Sequence, residues 1–140
     1  MRPDQIAGYF EALLTWLSRG VQLPWVETPG CLPHACHENV AVFVADRPDY
    51  RPVPGWLITP NPGIHMFHAH SVVRQPNGRL IDITPGQTDR AGLLFVEHLS
   101  SSADYDFLKV RCAQWFHPIP PDLQNGWPTP CPMDEYPSLP

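Results

Sequence analysis

HSVVRQPNGRLIDITP, residues 70–85, sets two strand-prone runs on either side of Pro76-Asn77-Gly78 and so reads as a β-hairpin. Its register decides the fold and the site together, because a slip of one residue sends every side chain to the opposite face. A two-residue loop at Asn77-Gly78 pairs Pro76 with Arg79 and puts His70 and Asp82 on opposite faces. A type I turn with Pro76 at i+1, Asn77 at i+2 and Gly78 in the left-handed position of a G1 bulge instead pairs Gln75 with Arg79 and Val72 with Asp82. Pro76 selects the second register: its φ is preset for the first turn position, and it has no N–H to give to a ladder. His70 then shares a face with Asp82 as its diagonal neighbour, at a Cα separation of roughly 7–8 Å, which an imidazole and a carboxylate can bridge.

Working outward, GWLIT (55–59) and IHMFHAHSVVR (64–74) precede RLIDI (79–83) as consecutive strands of an antiparallel meander. LLFVEHL (93–99) reads as a further strand, and DYDFLKVRCAQWF (104–116) fits strand and helix equally. Before the strands, Ile6, Phe10, Leu13, Leu14 and Leu17 recur at helical spacing over residues 4–19, with Asp4 as N-cap and Gly20 as stop. A proline-broken loop follows. Cys36, Val40, Phe43 and Val44 then fall at i, i+4, i+7 and i+8, which predicts a second helix that starts beside Cys36 and ends before Pro48. Helices first and strands after them imply an α+β fold, with N-terminal helices packed on an antiparallel sheet.

The 140 residues suit a single domain, 1–116, whose 43% hydrophobic content can fill a core. Eight of the 19 prolines lie after His117, so residues 117–140 read as a Pro-rich tail packed on that domain or extending from it. A net charge of −5, with nine Lys and Arg spread along the chain, argues against nucleic acid as partner. No apolar run of membrane-spanning length and no signal-peptide pattern is visible, so the expectation is a cytoplasmic protein with no membrane partner. Of the four cysteines, Cys31 and Cys112 read as small core residues, and the set reads as mostly free thiols.

Cys36 is different because of its setting. A helix N-terminus or a nearby imidazolium stabilises a thiolate. His70 would take the thiol proton and return it to a leaving amine, while Asp82 fixes the His70 tautomer; the Cys36 N–H would supply part of an oxyanion hole. That arrangement performs acyl transfer on an amide with no cofactor. Two rival readings use other classes of function. His68, His70 and Asp82 match a two-His, one-carboxylate metal site, with His65, His34 and His37 as further candidates and Cys31, His34 and Cys36 as part of a zinc site. An inert binding protein that recognises partners through its Pro-rich tail is the other.

CHENV (36–40), the GW pair (55–56) and the 70–85 hairpin together resemble the transglutaminase-like branch of the papain-like cysteine-enzyme superfamily. They are similar also to short bacterial proteins that carry Cys-x-x-Asn-Val, Gly-Trp and the same hairpin. The resemblance covers roughly residues 31–85 and implies a papain-like core with Cys36 as nucleophile, His70 as base and Asp82 as orienting acid. Its implied substrate is a peptide, a protein or a small amide. No Gln stands a few residues before Cys36, which leaves Asn39, His37 or a loop N–H as the second oxyanion donor; Trp56 is a candidate substrate contact, although a core role suits it better. The acidic clusters of calcium-activated transglutaminases are missing, so hydrolysis or deamidation fits better than cross-linking.

Overall fold

The hairpin forms in the register that Pro76 selects. In the computed structural model, which describes residues 1–86 and 92–120, strand β2 (Ile64–Arg74) pairs antiparallel with β3 (Leu80–Ile81), Val73 opposite Ile81 and Arg74 opposite Leu80. The Gln75 N–H donates to Arg79 O at 2.8 Å, the Gly78 N–H donates to Gln75 O at 2.8 Å, and Gly78 has φ +87°. This is the three-residue loop with a left-handed glycine, a conformation that a Cβ resists.

β2 also pairs along its other edge with β1 (Arg51–Thr59), and β1 pairs with β4 (Leu94–Glu97), giving the order β3-β2-β1-β4. The segment expected to be ambiguous contains one element of each kind: helix α3 (Ser102–Arg111), capped by the Ser101 hydroxyl accepting from the Asp104 N–H, and then strand β5 (Gln114–Pro118). β5 pairs with the first half of β2, Ile64 opposite Pro118 through His68 opposite Gln114, and so runs through residue 117, the expected start of the Pro-rich tail. Residues 121–140, most of that tail, lie outside the described residues, as does Cys131.

Gly55 on β1 is required by packing. A Cβ there would stand 2.4 Å from the Val96 carbonyl oxygen and 2.5 Å from the Phe95 ring, so β1 and β4 approach as closely as they do only because the residue has no side chain.

The helices gather on one face of the sheet. Helix α1 (Ile6–Leu14) presents Tyr9, Phe10, Leu13 and Leu14 to Trp56, Ile58 and Phe67 on the strands and to Tyr105, Leu108 and Cys112 near α3. Phe10 packs edge-on to Trp56 at 4.9 Å and stacks on Trp115 at 5.1 Å. The continuous helix expected over 4–19 is instead three pieces, with 3-10 turns at Pro3–Gln5 and Leu17–Arg19 around α1. The Thr15 hydroxyl and the Thr15 N–H both donate to the Ala12 carbonyl, which tightens the chain there and ends the α-helix. Asp4 lies inside the first 3-10 turn and caps nothing.

Helix α2 (Cys36–Ala45) buries Val40 against Val73, Ile81 and Ile83 on the same face. The opposite face holds Val53, Leu57, Val72, Leu80 and Phe95, closed by Val21. Residues 21–26 reach from one edge of the sheet toward the other: Val21 bridges to Phe95, and the Val26 N–H and Pro24 O bond the main chain of Asp82. No helix among the described residues is long and apolar enough to cross a membrane.

Candidate active site

Alternation along β2 gives neighbouring residues opposite directions, and the first turn of α2 straddles them. Cys36, the first residue of α2, shares its thiol with His70, and His37, the second, places Nδ1 2.6 Å from Ser71 Oγ. Ala35 at the N-cap offers no side-chain acceptor, so no capping side chain covers the first-turn N–H groups beside the sulfur. His34, two residues before Cys36, sits at φ +60°, an uncommon conformation for a residue with a Cβ, in the loop that delivers the helix start.

His70 is 4% exposed and Asp82 1%, and His70 Nε2 stands 3.0 Å from Asp82 Oδ2. Because Nε2 is held by the carboxylate, Nδ1 is the nitrogen left for the thiol. Burial alone would disfavour the imidazolium, but Asp82 and Cys36 outweigh it and raise His70 to about 9. Burial likewise disfavours the Cys36 thiolate, and the hydrogen bonds and charges of His37 and His70 outweigh it, bringing the thiol down to about 6. The other two described cysteines go the other way: burial raises Cys31, with the Asp82 charge adding to it, and burial raises Cys112. The site therefore holds one thiol suited to ionise near neutral pH.

Asp82 is fixed on both oxygens, since Oδ1 accepts the Thr84 N–H at 3.0 Å. Thr84 Oγ1 in turn accepts from Asn39 Nδ2 at 3.0 Å, and the Asn39 amide closes on the main chain of Leu32, donating to Leu32 O at 2.9 Å and accepting the Leu32 N–H at 3.1 Å. Cys-x-x-Asn and Asp-x-Thr are thus two ends of one network, buried at Thr84 and part-buried at Leu32, that ties the 32–35 loop and α2 to the segment after β3 that carries Asp82.

The network corrects two expectations. Asn39 is buried with its amide N–H groups committed to Leu32 and Thr84, so it is scaffold and not an oxyanion donor. Trp56 is fully buried with its indole N–H on Tyr9 Oη at 2.8 Å, so it belongs to the core and cannot touch substrate. His37 does lie at the thiol.

Among the described residues, no group of three or more His, Cys, Asp or Glu side chains is placed to hold one metal ion. His68 is close enough to His70 for their charges to interact, yet both Asp82 oxygens are turned to His70 and Thr84, so His68, His70 and Asp82 do not converge as a ligand set. Cys31, His34 and Cys36 do not form one either.

Three residues that sequence reasoning passed over complete the surroundings. Thr84 was legible in the Asp-x-Thr phrase. Ser71 followed from strand alternation once His70 was placed. Tyr105, whose hydroxyl lies 2.9 Å from Gly55 O and 3.0 Å from His70 O, left no signal, because it comes from a helix remote in sequence. No family model, curated protein or solved structure matches the chain.

Proposed function

We propose that the protein is a cysteine-dependent acyl-transfer enzyme acting on an amide bond, of the peptidase, amidase or glutamine-deamidase type, and that it belongs with the transglutaminase-like cysteine enzymes its motifs resemble. The observation that carries this reading is the line of groups Cys36–His70–Asp82: a thiol at a helix start, an imidazole bonded to it, and a buried carboxylate 3.0 Å from the imidazole's other nitrogen.

In this reading His70 Nδ1 takes the Cys36 proton, and the sulfur attacks the substrate carbonyl. The Cys36 N–H stabilises the oxyanion, and His70 delivers the proton to the departing amine as the C–N bond breaks. Water then attacks the thioester, with His70 as base, and returns the free thiol. Asp82 orients the ring and stabilises the imidazolium throughout.

The test is selective labelling with a substoichiometric amount of iodoacetamide near neutral pH, followed by peptide mapping and metal analysis. Cys36 should be modified ahead of Cys31 and Cys112, and Cys36→Ala should abolish turnover across a panel of peptide, anilide and glutamine substrates. Labelling that begins at Cys31 or Cys112, or amide turnover that survives Cys36→Ala, would overturn the reading.

A further inference from the structure

Beside the His70–Asp82 arm, a second chain of polar groups ends at the same sulfur. His37 Nδ1 meets Ser71 Oγ at 2.6 Å, Ser71 bonds the Tyr105 hydroxyl, and the Tyr105 hydroxyl faces the main-chain carbonyls of Gly55 and His70. Counting protons along it assigns every donor. Carbonyls only accept, so Tyr105 gives its single proton to them and its oxygen accepts from Ser71. Ser71 has then spent its own proton, and its oxygen accepts from His37 Nδ1–H. A neutral His37 with its proton on Nδ1 carries a lone pair on Nε2. We propose that His37 is a second proton acceptor for the Cys36 thiol, held in the accepting tautomer by Ser71 and Tyr105.

The inference rests on the cysteine-enzyme reading and deepens it. The S–H bond breaks, the proton joins Nε2, and a thiolate and an imidazolium result, with no further reactant. The Nδ1–H of that imidazolium stays on Ser71. Thiolate can then form in the free enzyme even when His70 carries no proton. Burial, with the thiolate charge second, raises Tyr105 well above the ordinary phenol range, so the end of the chain stays protonated. The charged and titratable groups around His37 are Cys36 beside it, His70 across the sulfur, and, from α3, Tyr105 edge-on at 5.9 Å with Asp106 and Lys109. His37, Ser71, Asp106 and Lys109 line a groove of about 550 Å³ between α2 and α3, so this arm is open to exchange protons with solvent.

The experiment is the pH dependence of iodoacetamide alkylation at Cys36 in the full chain, for wild type, His70→Ala, His37→Gln and the double variant. His37→Gln keeps a side chain that can bond Ser71 but cannot hold a proton. At pH 7, His70→Ala should alkylate at least about tenfold faster than the double variant, which is a thiol shift of about one unit. Superimposed profiles for those two variants would overturn the inference and leave the cysteine-enzyme reading standing. A wild-type profile matching an ordinary cysteine would instead overturn that reading. If His37→Gln does not fold by circular dichroism, Ser71→Ala in the His70→Ala background takes its place: it removes the acceptor that fixes the tautomer and should slow alkylation several-fold, and an unchanged rate would overturn the inference.

Discussion

In the proposed reading Asp82 differs from Cys36 and His70 because the protein has already specified what each of its oxygens does. Oδ1 accepts the Thr84 N–H and Oδ2 faces His70 Nε2. In Asp82→Asn the amide oxygen is the atom that can keep the Thr84 bond, which turns the NH2 group toward His70. Nε2 must then become the acceptor, Nδ1 carries the proton, and the ring faces the thiol with a donor where a base is needed. Turnover should fall by up to roughly 10⁴-fold and remain measurable. Cys36→Ala and His70→Ala, which in that reading remove the nucleophile and the base themselves, should leave no turnover. Comparison of kcat/KM for the three variants on one amide substrate checks the ranking; equal losses would show that Asp82 does more than orient. Asn39→Ala acts on the frame instead. It breaks one buried bond to Thr84 and two part-buried bonds to Leu32, and a loss of about 2–3 kcal/mol in urea unfolding is expected, at about 1 kcal/mol for each bond.

The elements divide by how local their causes are. The hairpin was legible to the residue because Pro76, Asn77 and Gly78 specify their own turn, and the turn specifies the register that brings His70 to Asp82. The start of α2 at Cys36 was legible from apolar spacing. The end of α1 was not, because a threonine hydroxyl turned back on the Ala12 carbonyl decides it and the apolar pattern runs on past it. α3 and β5 share a stretch whose propensities do not separate them, and what assigns β5 is its pairing with β2, a contact remote in sequence. Asn39 is misread for the same kind of reason: its neighbour Thr84 is 45 residues away. Two glycines make the contrast measurable. Gly78→Val places a β-branched side chain at φ +87° in an otherwise exposed turn and should cost about 1–3 kcal/mol. Gly55→Ala adds only a methyl group, at ordinary φ, yet that methyl meets the backbone of β4. It should destabilise by more than Gly78→Val does, and a smaller effect in chemical denaturation would mean that β4 can move away from β1 at little cost.

Across the molecule, the Cys36 thiol arrives on a helix, His70 on the sheet and Asp82 just past β3, so the ionisation of the Cys36–His70 pair exists only while those layers are docked. The two shifts have opposite signs. Cys36 is lowered to about 6, so its thiolate is gained as pH rises through that value; His70 is raised to about 9, so its imidazolium is lost as pH rises through that one. kcat/KM for an amide substrate should therefore trace a bell between about 6 and about 9. Stability should not follow it. A lowered thiol contributes stability that is lost as pH falls through its folded value, and a raised imidazole contributes stability that is lost as pH rises through its folded value. Between the ordinary imidazole and thiol values of roughly 6.5 and 8.5, the unfolded pair holds one proton on sulfur and the folded pair holds one proton on His70. Folding then neither takes up nor releases a proton at this site, and the two slopes cancel. The difference in urea midpoint between wild type and Cys36→Ala removes the rest of the chain from the comparison. In Cys36→Ala only the imidazole remains to titrate, and with the thiolate gone Asp82 is what still raises it. The variant should lose stability steadily above about 6.5, until pH passes the folded value of its own imidazole, while the wild type stays level at this site. A midpoint difference that does not widen across that range would mean that Cys36 and His70 do not exchange a proton in the folded protein.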